Sequence, residues 1–154
     1  MKTKIRLFVN KESTDIYVEP MTTLVDVIRN ELKLTGVHVG CDTASCGACT
    51  ILLENKAVKS CSLLAKQCDG MSIETIESLA KEDLHPLQKK LSEFHGLQCG
   101  FCTPGFIMTG LQLVKDNIPL TREEIKDRLK GNLCRCTGYI PIIEAFYHIL
   151  NKKD

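Results

Sequence analysis

Gly40-Cys41-Asp42-Thr43-Ala44-Ser45-Cys46-Gly47-Ala48-Cys49-Thr50, followed by Cys61 with eleven residues between it and Cys49, is the stretch on which the reading of this sequence turns. Four residues separate Cys41 from Cys46 and two separate Cys46 from Cys49, which is the plant-type spacing for a [2Fe-2S] cluster. Each of two irons takes two thiolates, so a loop carrying three cysteines must wrap tightly around the cluster while the fourth arrives from a following strand. Gly40, Gly47 and Ala48 are small enough to let backbone amides close in on the sulfurs and offset their negative charge.

A second group lies downstream. Cys99 and Cys102 are separated by two residues, and Cys134 and Cys136 flank Arg135. A helix is expected after Thr103-Pro104-Gly105, so its positive N-terminal end would face an anionic cluster. In an extended segment Cys134 and Cys136 would point to the same side. Arg135 reads either as a solvated arginine or as a charge that raises the potential. Cys68 is the ninth cysteine. It reads as a small buried apolar residue, and Cys61 is preferred over it as the fourth ligand because Cys61 follows an expected strand at 57–60. The competing reading of both groups is tetrahedral zinc, but zinc ribbons use two pairs per site, whereas the first group has one pair with an extra cysteine upstream. His38, His85, His95 and His148 lack the spacing of Rieske ligands and read as surface or capping residues.

Composition narrows the setting. Nine cysteines without a signal-like apolar start point to metal-held thiols inside the cell, hence a cytoplasmic protein. A net charge of +1 with lysines scattered among acids gives no basic stripe, which argues against nucleic acid. No apolar run reaches the roughly 20 residues a membrane span needs.

Working outward from the first group, apolar residues alternate at 5–9 and 16–18 around Asn10-Lys11-Glu12-Ser13, predicting a β-hairpin. A helix should follow, capped by Thr22 or Thr23, with Leu24, Val27, Ile28 and Leu32 on one face and Gly36 as its left-handed stop. Further strands are expected at 50–53, 57–60 and 71–76, joined through Glu54-Asn55-Lys56 and Asp69-Gly70 turns. The period then changes from two to about 3.6. Leu84, Leu87, Leu91 and Phe94 share one helical face and Ile107, Leu111 and Val114 another. A third helix opens at Thr121 with a capping box to Glu124, carries Ile125 and Leu129, and ends at Gly131. A fourth begins near Pro141 and carries Ile142 or Ile143, Phe146, Ile149 and Leu150. The chain is therefore expected to be α+β, with a sheet domain at 1–78 and an all-α four-helix domain at 79–154. Domains of this size have small cores, and metal would staple each.

Three motifs taken together, Gly40 to Thr50, Gln98-Cys99-Gly100-Phe101-Cys102-Thr103-Pro104-Gly105 and Gly131-Asn132-Leu133-Cys134-Arg135-Cys136-Thr137-Gly138-Tyr139, resemble the small iron-sulfur subunit of xanthine oxidase-family molybdenum hydroxylases. The resemblance covers nearly the whole chain and looks nearest to the carbon monoxide dehydrogenase small subunit and related aldehyde or heteroaromatic hydroxylases. It implies a β-grasp, ferredoxin-like domain ahead of the helical domain, each holding one [2Fe-2S] cluster. Cys41, Cys46, Cys49 and Cys61 would ligate the plant-type cluster, and Cys99, Cys102, Cys134 and Cys136 the other. It further implies partners: a large molybdopterin-binding subunit and a medium FAD-binding subunit, in a dimer of heterotrimers. Electrons would pass from molybdenum through the helical-domain cluster and then the plant-type cluster to FAD, with Gln98 and Cys136 hydrogen-bonding the pterin. No residue of this chain would be catalytic, and the pattern carries no information about substrate. One departure from the family is Ala44-Ser45, where members often have glutamine or another larger polar residue before the second ligand. A free-standing ferredoxin-like carrier is the alternative reading.

Overall fold

The computed structural model describes residues 1–79 and 82–151. The expected junction at 78–83 includes Ala80 and Lys81, which lie outside the described residues, as do 152–154. The chain opens with β1 (Thr3–Val9) and β2 (Glu12–Val18), paired antiparallel with Val9 opposite Glu12. Ile5, Leu7 and Val9 are buried and the residues between them face outward, as a strand with one covered face requires. The turn is tighter than the expected four residues. Asn10 (φ 51°) and Lys11 (φ 75°) alone form it in left-handed conformations whose twist matches the strands, so Glu12 and Ser13 belong to β2.

A short helix α1 (Leu24–Asp26) follows, capped by the Thr23 hydroxyl, which accepts from the Asp26 amide at 3.3 Å. It runs on as a π-helical turn (Val27–Glu31), in which the Leu32 amide reaches the Val27 carbonyl. The apolar face is as read: Leu24, Val25, Val27 and Ile28 are buried against the sheet, with Leu32 packed beside them. Its ending differs, because Lys33 (φ 59°) takes the left-handed position. Gly36 is small for another reason: a Cβ there would lie 2.5 Å from Ile76 Cγ2, where its amide donates to Glu77.

Strands β3 (Thr50–Leu53), β4 (Lys56–Lys59) and β5 (Ser72–Glu74) complete a sheet of order β2-β1-β5-β3-β4, in which β5 runs parallel to β1 and the other pairs are antiparallel. Glu54 and Asn55, both with positive φ, make the β3–β4 turn. β3 is buried on both faces. Ile51 joins the core under α1, while Leu52 points the other way into the helical core.

That second core is built by α2 (Pro86–Glu93), α3 (Thr103–Asp116), α4 (Arg122–Arg128) and α5 (Ile140–Leu150). Leu87, Leu91, Phe106, Met108, Ile125, Ile142 and Phe146 fill its centre. Leu84 does not belong to the α2 face and is exposed, because Pro86 opens the helix and His85 caps it, its ring accepting from the Leu87 amide. Thr121 and Glu124 form the capping box of α4. α3 lies across the sheet, where Gln112 accepts from the Ala57 amide at 2.7 Å and Lys115 pairs with Glu74. The whole is an α+β fold of two domains, a β-grasp sheet and a four-helix unit, packed sheet to helix.

Candidate metal centre

Residues 41–49 form an irregular loop between α1 and β3. Ala44 (φ 54°) and Gly47 (φ 71°) give it two left-handed corners, which curl its amides inward. The Cys41 sulfur accepts from the amides of Ser45 (3.3 Å) and Cys46 (3.4 Å), and Cys46 Sγ from that of Ala48 (3.5 Å). Backbone donors from Cys46 and Thr43 draw the Cys41 thiol down to about 6. Cys61 sits on a 3-10 turn (Ser60–Ser62) that directly follows β4, with its sulfur 3.3 Å from Cys49 Sγ. Burial pushes the Cys61 thiol up to about 12, reinforced by Cys49 and then by charge on Cys41 and Cys46. Charge on any one of these thiolates opposes ionisation of Cys61, an opposition that a bound cation would relieve. Cys68 is 1% exposed in the sheet core that also holds Cys49, and its thiol donates to the Leu64 carbonyl at 3.8 Å.

The second group assembles at the N-terminal end of α3. Cys99 is exposed in the loop after α2, and Cys102 is the N-cap of α3, which begins at Thr103, earlier than expected, so that Pro104 lies in its first turn. Burial, then the neighbouring Cys134, pushes Cys102 up to about 12. Cys134 is pulled the other way: burial raises it, but the Thr137 hydroxyl (3.1 Å) and amide (3.4 Å) donate to its sulfur and leave it lowered. The 134–136 segment is bent, not extended, because Thr137 folds back onto Cys134 and Gly138 (φ 69°) turns the chain toward α5. Cys136 is exposed, as are Gln98 and Arg135. The Thr103 hydroxyl, beside Cys102, is buried with no hydrogen-bond partner among the described residues. An orphaned donor at a helix N-terminus next to a cysteine group suits an anionic cluster that accepts from it. Among the described residues no three His, Cys, Asp or Glu side chains converge as ligands of a single metal ion.

The two groups are fastened to each other, which the sequence reading did not anticipate. Leu133, next to Cys134, donates its amide to the Cys46 carbonyl at 2.8 Å. Asn132, 4% exposed, donates to the Gly47 carbonyl (3.0 Å) and accepts from Thr109 (2.8 Å). Gly47 is glycine because of this approach: a Cβ there would lie 2.3 Å from the Gly131 carbonyl oxygen. On the outer side, His38 stacks on Phe101 (4.6 Å) and donates from Nδ1 to its carbonyl, tying the irregular segment before Cys41 to the turn between Cys99 and Cys102.

Comparison with known proteins gives a family match over each half of the chain. A 2Fe-2S iron-sulfur cluster binding domain family matches residues 7–71, and a [2Fe-2S] binding domain family matches 75–147. The nicotine 6-hydroxylase small subunit of Paenarthrobacter nicotinovorans is 48% identical over 94% of this chain and 87% of its own length. The chain belongs to the small iron-sulfur subunits of the xanthine oxidase family of molybdenum hydroxylases. Among solved structures, quinoline 2-oxidoreductase from Pseudomonas putida 86 superposes with a TM-score of 0.90 at 41% identity, covering 97% of this chain and 93% of that one. The aldehyde oxidoreductase of Desulfovibrio gigas also gives 0.90, at 40% identity over 96% of this chain, but that match takes up 17% of the longer protein. This small iron-sulfur subunit is thus a component of an oxidoreductase complex. No helix among its described residues is long and apolar enough to cross a membrane.

Proposed function

We propose that this iron-sulfur subunit is the electron relay of a molybdenum-dependent hydroxylase or dehydrogenase. Two [2Fe-2S] clusters would supply one-electron chemistry, passing electrons from a molybdopterin centre on a large subunit to FAD on a medium subunit. Cys41, Cys46, Cys49 and Cys61 hold one cluster, in a domain spanning 1–78. Cys99, Cys102, Cys134 and Cys136 hold the other, in a domain spanning 79–154. Gln98 and Cys136, both exposed beside the second group, face the pterin. The chain itself contributes ligands, amide donors that stabilise anionic sulfur, and a fixed spacing between the two ligand loops.

The observation that carries this reading over a free carrier is the apolar rim around the second group. Phe101 (47% exposed), Leu133 (52%) and Ile140 (71%) are large side chains left in water beside Cys99, Cys102, Cys134 and Cys136. Such a patch fits burial against a partner subunit. The complex works in the cytoplasm as a dimer of heterotrimers. Carbon monoxide, aldehydes and heteroaromatic compounds are the candidate substrates, and the relatives acting on nicotine and quinoline favour the heteroaromatic class.

Affinity purification of the tagged chain tests this. It should bring down two larger subunits and contain about four iron and about four acid-labile sulfide per chain, two of each per cluster. A colourless, zinc-loaded monomer would refute it. Cys68→Ser should keep the full iron content, whereas Cys61→Ser should lose half or more of it; the reverse result would reassign the fourth ligand.

A further inference from the structure

Lys59 ends β4, opposite Thr50 and two residues before Cys61. Its side chain does not extend into solvent. It passes Gly131, where a Cβ would lie 3.8 Å from Lys59 Cε, and brings Nζ to 2.7 Å from the Ala44 carbonyl and 3.2 Å from that of Ser45. Ala44 is held in the left-handed region (φ 54°), which costs a non-glycine residue about 1 kcal/mol. Among the described residues Lys59 forms no ion pair, so no carboxylate at contact distance cancels its charge.

An ammonium bound to two carbonyls of the ligand loop does two things at once. It fixes the left-handed corner that aims the Ser45 and Cys46 amides at Cys41. It also places a positive charge beside a site that gains negative charge on reduction, and a partly desolvated charge acts across several ångströms with little screening. We propose that Lys59 is a positioning and potential-setting residue of the first ligand loop: it clamps the Ala44 and Ser45 carbonyls and biases the cluster there toward its reduced form. This inference rests on the reading that Cys41, Cys46, Cys49 and Cys61 hold a [2Fe-2S] cluster. The helical-domain group has no equivalent lysine clamp among the described residues, so the bias falls on one centre and not the other.

The test is a redox titration of the purified holo complex, followed by the electron paramagnetic resonance of each reduced cluster, for wild type, Lys59→Met, Lys59→Gln and Lys59→Arg. In Lys59→Met the reduced-to-oxidised ratio of the plant-type cluster at a fixed solution potential should fall roughly tenfold, about 59 mV for a one-electron couple. The helical-domain cluster should move much less, and Lys59→Arg should restore most of the difference. If Lys59→Met costs the cluster altogether, Lys59→Gln decides. It keeps an amide donor without the charge and should still titrate low, and a wild-type potential there overturns the inference. Equal shifts in both clusters, or no shift in either, also overturn it. Iron absent from the wild-type chain would sink the cluster reading itself, whereas iron present with potentials indifferent to Lys59 would sink only the role of this residue.

Discussion

At the residue scale, Asn132 and Thr103 make a contrasting pair. Both are polar and sit beside proposed ligands, but the Asn132 side chain is saturated and the Thr103 hydroxyl has no partner among the described residues. Asn132→Ala would remove one donor from the Gly47 carbonyl, which keeps the Thr50 amide and hydroxyl, and one acceptor from the Thr109 hydroxyl, which keeps the Gly105 carbonyl. The loss of these two buried bonds should cost about 1–3 kcal/mol in urea unfolding. Asn132→Asp should be no milder, because it sets a carboxylate oxygen against the Gly47 carbonyl. Thr103→Val should behave oppositely. The cluster-free chain should be within about 1 kcal/mol of wild type, since nothing in the protein loses a bond. The loaded protein should instead show a lower potential at the helical-domain cluster, read by the same kind of titration. The cysteines were legible in the sequence because ligand spacing is a local property. Asn132 was not, because its role exists only when a segment 85 residues away comes to meet it. Lys59 escaped notice for the same reason: nothing in Lys56 to Cys61 marks one lysine as a clamp.

At the scale of elements, periodicity located nearly every strand and helix, and the misses have definite causes. The apolar spacing of Leu24, Val27, Ile28 and Leu32 fits an α-helix and the π-turn equally well, so the bulge at Val27–Glu31 left no trace. Lys33, not Gly36, closes it, because glycine was needed for close packing against Ile76. At Cys134 to Cys136 the expectation of extended backbone failed because Thr137 supplies two donors to the Cys134 sulfur. The α4–α5 pairing yields a pH prediction. Arg122 donates to both carboxylate oxygens of Glu144 (2.6 and 2.9 Å) and lies 3.7 Å from the Tyr147 ring centre. The hydrogen bond from Arg122 holds Glu144 below the usual carboxylate range, against the opposing effect of desolvation. A depressed carboxylate stabilises the fold above its unfolded value and loses that contribution as pH falls through its folded value. Glu144→Gln should therefore melt below wild type at neutral pH, with the gap closing in acid below about pH 4. A gap that widens in acid would contradict the assignment.

For the whole molecule, the relevant fact is that the sheet and the helices share surfaces: Leu52 is in the helical core, α3 lies across β3 and β4, and the two cysteine loops touch. Removing iron with a chelator under reducing conditions should loosen both halves together, visible as one shifted, broadened unfolding transition by circular dichroism. Two separate transitions would argue that the halves answer to their metals independently. The contact of Gly47 with Gly131 and Asn132 carries this further, into biogenesis. Once one loop has closed around its inorganic core, its neighbour has already lost much of the freedom it would otherwise surrender on closing. Maturation under iron limitation should consequently yield chains that are complete or empty, with half-filled species scarce in a native mass spectrum.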